Sequence, residues 1–260
     1  MKIIGIGNCQ VQQLLLYIKL FSRDYVETLF FTATPLLGEI PSVQNINDAI
    51  TGSDLTISTL LDSKHRHLSS EHVQKLAKSR NSNFTTIPYF YNDGFASLIY
   101  APIRKKFFGE QQVLQAYLEA GHDRDLLIEN FLNLKLDFDI RSRFNQSLEI
   151  LKEKEKRTHL RISDYIEQSY KHTRIFLTHN HPGRGIYWHL LNQLYKLGLL
   201  EATFSMPITP DCMPQVEAKL IHQCLTPKDA SELGYTFAIN DNWQGLGTKY
   251  IDLILKAAII

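Results

Sequence analysis

What most constrains this chain is a change of period near its N-terminus. Residues 2–6, Lys-Ile-Ile-Gly-Ile, are a short apolar run of β type that stops at Gly7. From Gln10 onward the apolar residues switch to helical spacing: Val11, Leu14, Leu15, Ile18 and Phe21. A strand, a tight turn and a helix in this order bury the strand in a sheet and lay the helix over it. Residues 25–32 and 55–60 repeat the strand pattern, and residues 84–87 add a short fourth run ended by Pro88. Residues 69–80 read as an amphipathic helix with Ser69 or Ser70 as its cap. Strands alternating with helices predict a parallel sheet with crossover helices.

The pattern changes after Pro88. Residues 89–108 are aromatic and irregular, contain Gly94 and Pro102, and read as a long surface loop. Residues 110–157 read as two or three helices, the last over 139–157, ending in a charge run that suits a solvated face. Residues 162–170 are a further helix. Strand character returns at 174–178, followed by His179-Asn180-His181-Pro182-Gly183 and a helix over 185–196. A Pro-rich loop at 206–214 and a tail helix at 248–258 complete the pattern. The expected fold is α/β: a flavodoxin-like parallel sheet combined with a largely helical subdomain. The expected parts are an α/β subdomain at 1–108, a helical one at 109–172, and a strand–turn–helix part at 173–260 that completes the α/β core.

Charge and cysteine content narrow the function. Lys and Arg number 28 against 27 Asp and Glu, a net charge of +1. The chain lacks the basic excess of a nucleic-acid binder. Cys9, Cys212 and Cys224 make no disulfide framework and no zinc spacing, and they suit a reducing compartment. No apolar run approaches the roughly 20 residues of a membrane span. The apolar N-terminal run is broken by Asn8-Cys9-Gln10, and Asn8 before Cys9 is wrong for lipoprotein cleavage. A cytoplasmic protein is expected.

Two constellations carry chemistry. Cys9 stands where a strand ends and a helix begins, the place where open α/β sheets bind ligands. Unpaired amides and the helix dipole favour a thiolate there and also suit an oxyanion. The alternative is a small buried residue at a crowded turn. Asn8 and Gln10 flank the thiol with polar amides. A dinucleotide fingerprint fails: Gly5-x-Gly7-x-x-Gln10 lacks the third glycine, and no acid closes the second strand at Phe30-Phe31-Thr32. The second constellation is His179 and His181, which follow a strand and precede a helix. In a parallel sheet they share the edge that holds Cys9, so either could be the base of a nucleophilic pair or deprotonate an acceptor hydroxyl. His181 is held in extended backbone by Pro182. A His-x-His pair also suits a metal, for which Asp211 and His222 are conceivable further ligands; no metal is expected. His65 and His67 form another such pair in a polar surface stretch.

Gly7-Asn8-Cys9-Gln10, the segment Ile162-Ser163-Asp164-Tyr165-Ile166, and Ile175-Phe176-x-Thr178-x-Asn180-His181-Pro182 together resemble the WcbI family of polysaccharide-biosynthesis proteins. These are regarded as acetyltransferases of bacterial capsules. Two differences stand out. Family members often carry an Arg-Glu pair ahead of the ISDYI-like segment, where this chain has Lys154-Glu155. Their aromatic loop usually contains a histidine, where this chain reads Asn92-Asp93-Gly94-Phe95. The resemblance implies a parallel-sheet subdomain joined to a helical part, with coenzyme A bound between them. It implies a site around Cys9 and His181, with Asn8, Gln10 and Asn180 positioning the thioester carbonyl or its oxyanion. The arrangement is also similar to SGNH-type esterases, in which serine holds the place of Cys9.

A coenzyme A site must hold phosphates, and Arg or Lys forks and helix N-termini do this. Arg104-Lys105-Lys106, between Tyr100 and Phe107-Phe108, is the best local cluster, and Gly7 suits close backbone approach. Arg141, Arg143, Arg161 and Arg184 are scattered alternatives, of which Arg184 opens a helix near the expected site. The expected activity is O-acetyl transfer from acetyl-CoA to a saccharide precursor, nucleotide-linked, lipid-linked or polymeric. An esterase or deacetylase with a cysteine nucleophile and a non-catalytic coenzyme A or sugar-phosphate module are the alternatives.

Overall fold

The structure, a computed structural model, describes residues 1–97, 109–200, 204–214, 225–239 and 242–258. The chain forms two compact units, each assembled from three stretches. The first comprises Met1–Phe90, Leu151–Ile166 and Arg184–Gln215; the second comprises Tyr91–Ile150, Glu167–Gly183 and Val216–Ile260.

The first unit is the α/β body. Strand β1 (Lys2–Gly7) leads into helix α1 (Cys9–Phe21), then β2 (Glu27–Thr32), α2 (Val43–Ile50), β3 (Leu55–Thr59), α3 (Ser70–Ser79) and β4 (Asn83–Ile87). All pairings are parallel and the strand order is β2-β1-β3-β4. Ile4 and Ile6 project to one face and pack with Ile46, Ala49 and Ile50 of α2 and Val73 and Ala77 of α3. Each such isoleucine contributes roughly 1.5–3 kcal/mol through burial. The other face receives α1, whose Val11 and Leu15 fill the space left by the missing side chain of Gly5.

In the second unit, helices α4 (Gly109–Glu119) and α5 (Arg124–Leu132) precede α6 (Ile140–Glu155), which passes back into the first unit. Helix α7 (Ser163–Ser169) begins in the first unit and ends in the second. The strand expected over 174–178 forms as β5 (Phe176–Thr178). Its partner is β6 (His181–Pro182), antiparallel, and not a strand of the parallel sheet. The cause is the two-residue reversal at His179-Asn180, which folds Pro182 back against Phe176. Helix α8 (Arg184–Lys196) then returns to the first unit, where Tyr187 packs against Tyr17 of α1 with ring centroids 5.2 Å apart. Helices α9 (Pro227–Leu233) and α10 (Trp243–Ala258) belong to the second unit. Among the described residues no helix is long and apolar enough to cross a membrane.

Two interior positions organise the second unit. Gly94 lies directly on the backbone of α6, where a Cβ would overlap Phe144 N, Ile140 O and the carbonyl carbon of Arg143. Beside it, the buried Arg143 guanidinium donates to the Asp93 carbonyl and pairs with the Asp93 carboxylate at 3.2 Å. Asp229, in the first turn of α9, is fully buried and accepts from the Ser97 hydroxyl and from Thr226 N at 2.8 Å.

Because only backbone surrounds Gly94, nothing can rotate aside. Gly94→Ala is therefore expected to destabilise the protein by about 3 kcal/mol or more in urea unfolding, and an unchanged midpoint would contradict this packing. Burial raises the Asp229 carboxyl from 3.8 to about 6, against the opposing bonds from Ser97 and Thr226. The folded state then holds this proton more tightly than the unfolded chain. Stability contributed by Asp229 rises as pH falls from above 6 toward 4, by about 1–3 kcal/mol. The stability difference between wild type and Asp229→Asn should move by that amount, in favour of wild type, between pH 8 and pH 4.

Candidate functional site

At the carboxyl edge of the parallel sheet the order β2-β1-β3-β4 reverses direction between β1 and β3. Crevices of open α/β sheets form at such a switch point. Gly7 closes β1 there at φ +155°, and a Cβ on it would overlap the Thr59 hydroxyl at the end of β3 and crowd Val11. Asn8 caps α1: its Oδ1 accepts from Gln10 N at 3.0 Å, and its carbonyl accepts from Val11 N at 3.1 Å. The cap makes Cys9 the first residue of the helix, half-buried. The sequence reading of a thiol at a strand–turn–helix junction is thus met by the local geometry.

Gln10 is 0% exposed. Its Nε2 donates to Phe90 O at 2.6 Å and its Oε1 accepts from Phe90 N at 3.4 Å. The side-chain amide therefore holds the segment that follows β4 against the first turn of α1. Thr59 carries a signal that sequence reasoning missed. It is 2% exposed, and among the described residues its hydroxyl has no hydrogen-bond partner. A buried hydroxyl without a partner costs about 1–3 kcal/mol, and a valine would fill the same space without that cost.

The Lys154-Glu155 pair also has a structural role that the sequence left open. Glu155 accepts from Ile162 N at 2.6 Å, from Ser163 N at 2.9 Å and from the Ser163 hydroxyl, so it caps α7 in place of a residue of the helix itself. Lys154 donates to Tyr89 O at 3.2 Å and lies over the Tyr89 ring, 5.5 Å from its centroid. Burial lowers the pKa of this amine. Tyr165 stacks on His189 at 5.0 Å and 19°, its hydroxyl filling the space beside Gly185 in the first turn of α8. Burial lowers the pKa of His189.

In the second unit, the β5–β6 hairpin presents His181. Its Nδ1 lies 2.6 Å from the Thr178 hydroxyl, which also donates to Asn180 Oδ1 at 3.2 Å. The Thr178 hydroxyl thereby ties the imidazole to the hairpin turn. Burial lowers the pKa of His181 and keeps the ring neutral near pH 7. His179 is buried, and its carbonyl accepts from Asn92 N at 2.7 Å. The geometry thus distinguishes the two histidines: His181 is half-exposed beside the Thr178 hydroxyl, while His179 is packed inside.

The expected cations fall into three groups. Arg184 donates to the Asp211 carboxylate and to Met213 O at 3.1 Å. Arg141 donates to Glu232 O, and Arg143 is committed to Asp93. Arg104, Lys105 and Lys106 lie outside the described residues, as do Cys224 and His222. Cys212 is exposed, and a hydrogen bond from Thr209 lowers its pKa. Among the described residues no group of three or more His, Cys, Asp or Glu side chains is arranged to hold a metal.

A solved structure described as "WcbI, a novel polysaccharide biosynthesis enzyme" shares this fold. It has a TM-score of 0.60 and 16% sequence identity, with 100% of this chain and 99% of that chain covered. It is described as the native protein without a disulfide between coenzyme A and one of its cysteines. A search of curated proteins finds none that matches. The sequence profile described as "Polysaccharide biosynthesis enzyme WcbI" matches residues 2–201. With that match over most of its length, the chain belongs to the WcbI family of polysaccharide biosynthesis enzymes.

Proposed function

We propose that this protein is an O-acetyltransferase that moves an acetyl group from acetyl-CoA to a saccharide hydroxyl in the cytoplasm. The observation that carries this reading is the half-buried thiol of Cys9 at the capped start of α1, on the carboxyl edge of the parallel sheet. The related WcbI structure is described as lacking a disulfide between coenzyme A and one of its cysteines, wording that associates coenzyme A with a cysteine in that protein and supports coenzyme A as the ligand here.

In the proposed reaction Cys9 attacks the thioester carbon of acetyl-CoA. The oxyanion is met by Asn8 Nδ2, because Gln10 N and Val11 N are already bonded to Asn8 in the helix cap. The bond from the acetyl carbon to the coenzyme A sulfur breaks, and coenzyme A leaves as its thiol. The acceptor hydroxyl then gives its proton to the His181 imidazole and attacks the Cys9 thioester, and the Cys9 thiolate recovers a proton from the imidazolium. Asn180 orients the ring through Thr178, and Gln10 positions the segment at Phe90. Gly7, Arg104, Lys105, Lys106 and Arg184 are assigned to coenzyme A. Arg184 exchanges the exposed Asp211 carboxylate for a phosphate, at little cost because an exposed pair is weak.

Coenzyme A should raise the melting temperature in proportion to the logarithm of its concentration, by an amount equivalent to about 2.7 kcal/mol at a hundred times Kd. No shift at millimolar ligand would remove the acetyl-CoA reading. His181→Ala should lower turnover by about 10²–10⁴-fold while coenzyme A affinity stays within about twofold. Since burial lowers the His181 pKa, the acid limb of the turnover profile should lie below about 6.5 and vanish in this variant. A silent His181→Ala would remove its role as the base.

A further inference from the structure

The sequence reading treated residues 64–67 as an ordinary surface stretch, and their place in the fold says otherwise. Lys64, His65, Arg66 and His67 are four consecutive basic side chains in the connection from β3 to α3. That connection leaves the sheet at the carboxyl end of β3, which is the neighbour of β1 on the far side of the switch point. It therefore borders the same crevice as the Cys9 turn, within the same unit.

The connection is built rather than loose. Its base is closed by Leu61 N donating to the Ser70 hydroxyl at 2.8 Å and Ser70 N donating to Leu61 O at 3.0 Å. Its flank is fixed by His67 Nε2, 2.8 Å from Pro41 O in the connection from β2 to α2. Asp62 pairs with Lys64 at 3.1 Å and lies 3.9 Å from His65. Arg66 is different. It sits at φ 53°, ψ −118°, a conformation that disfavours any side chain. Its carbonyl accepts from Ser69 N at 3.0 Å, but its side chain is exposed and, among the described residues, has no hydrogen bond or ion pair. A glycine would relieve the strain, yet the position holds the side chain best suited to grip phosphate. Strain of this kind points from an observed outlier to a function.

We infer that the β3–α3 connection is a phosphate-binding arm of the crevice, with Arg66 as its principal contact and Lys64 as its second charge. The inference rests on the coenzyme A reading for its ligand class, a diphosphate or phosphate ester on a long arm. The pantetheine chain separates thiol from diphosphate, so Arg66 and Cys9 serve opposite ends of one ligand.

The test is calorimetry on the full chain with three probes: coenzyme A, pantetheine and inorganic pyrophosphate. Arg66→Gly removes the charge and is compatible with the backbone, so its melting temperature should equal or exceed that of wild type. It should weaken coenzyme A and pyrophosphate by at least about tenfold and leave pantetheine unchanged. Arg66→Lys should recover part of the loss, and Lys64→Gln should weaken the same two probes less. Equal affinity of wild type and the Arg66→Gly/Lys64→Gln double variant for coenzyme A and pyrophosphate overturns the arm and leaves the coenzyme A reading standing. Pyrophosphate binding that depends on Arg66, without any coenzyme A binding, keeps the arm and overturns that reading. Binding of neither by wild type overturns both.

Discussion

Gly7 has no side chain, and the hydroxyl of Thr59 occupies the space that one would need. That close approach lets β1 and β3 run side by side to their carboxyl ends, where the chain must turn sharply into α1. Asn8 then supplies the cap that the first helical amides require, and the thiol of Cys9 falls at the head of the helix. Moving any one of these residues moves the thiol. The Thr59 hydroxyl beneath the turn, without a partner among the described residues, is a local cost that a valine would not carry.

Around this turn, buried polar side chains fix the segments that the sheet does not hold. Gln10 clasps the backbone of Phe90 through both ends of its amide. Lys154 reaches the carbonyl just before it, at Tyr89, and Glu155 gathers the amides that open α7. The Gln10 and Lys154 ties span long sequence separations, and all of them use groups that would be costly to bury unpaired. They convert an aromatic, irregular stretch into a positioned one. In the second unit, the Thr178 hydroxyl does the same for the His181 ring.

Much of this was legible in the sequence where one period governed a stretch. The apolar run at 2–6 and the spacing Val11, Leu14, Leu15, Ile18 announced β1 and α1, and the helices α3 and α8 followed from the same rule. Helix α2 was overlooked although Ser42 and Asn45 form a capping box and Ile46, Ala49 and Ile50 share one face; eight residues gave the periodicity little room. The partner of β5 was not legible, because a two-residue strand containing proline has no pattern of its own. At the site, Asn8 and Cys9 stood out because chemistry and location coincided. Thr59, Glu155 and Arg66 did not, since their meaning lies in a missing partner, a contact across seven or eight residues, and a backbone angle.

The proposed reaction requires the thiol at the head of α1 to carry the acetyl group. It is tested most directly by mixing a Cys212→Ser protein with acetyl-CoA in the absence of acceptor, quenching in acid, and mapping acetylated peptides by mass spectrometry. One acetyl group is expected on the peptide containing Cys9, formed with release of an equal amount of coenzyme A and discharged when a saccharide acceptor is added. An unmodified Cys9 in a protein that still acetylates its acceptor would contradict it.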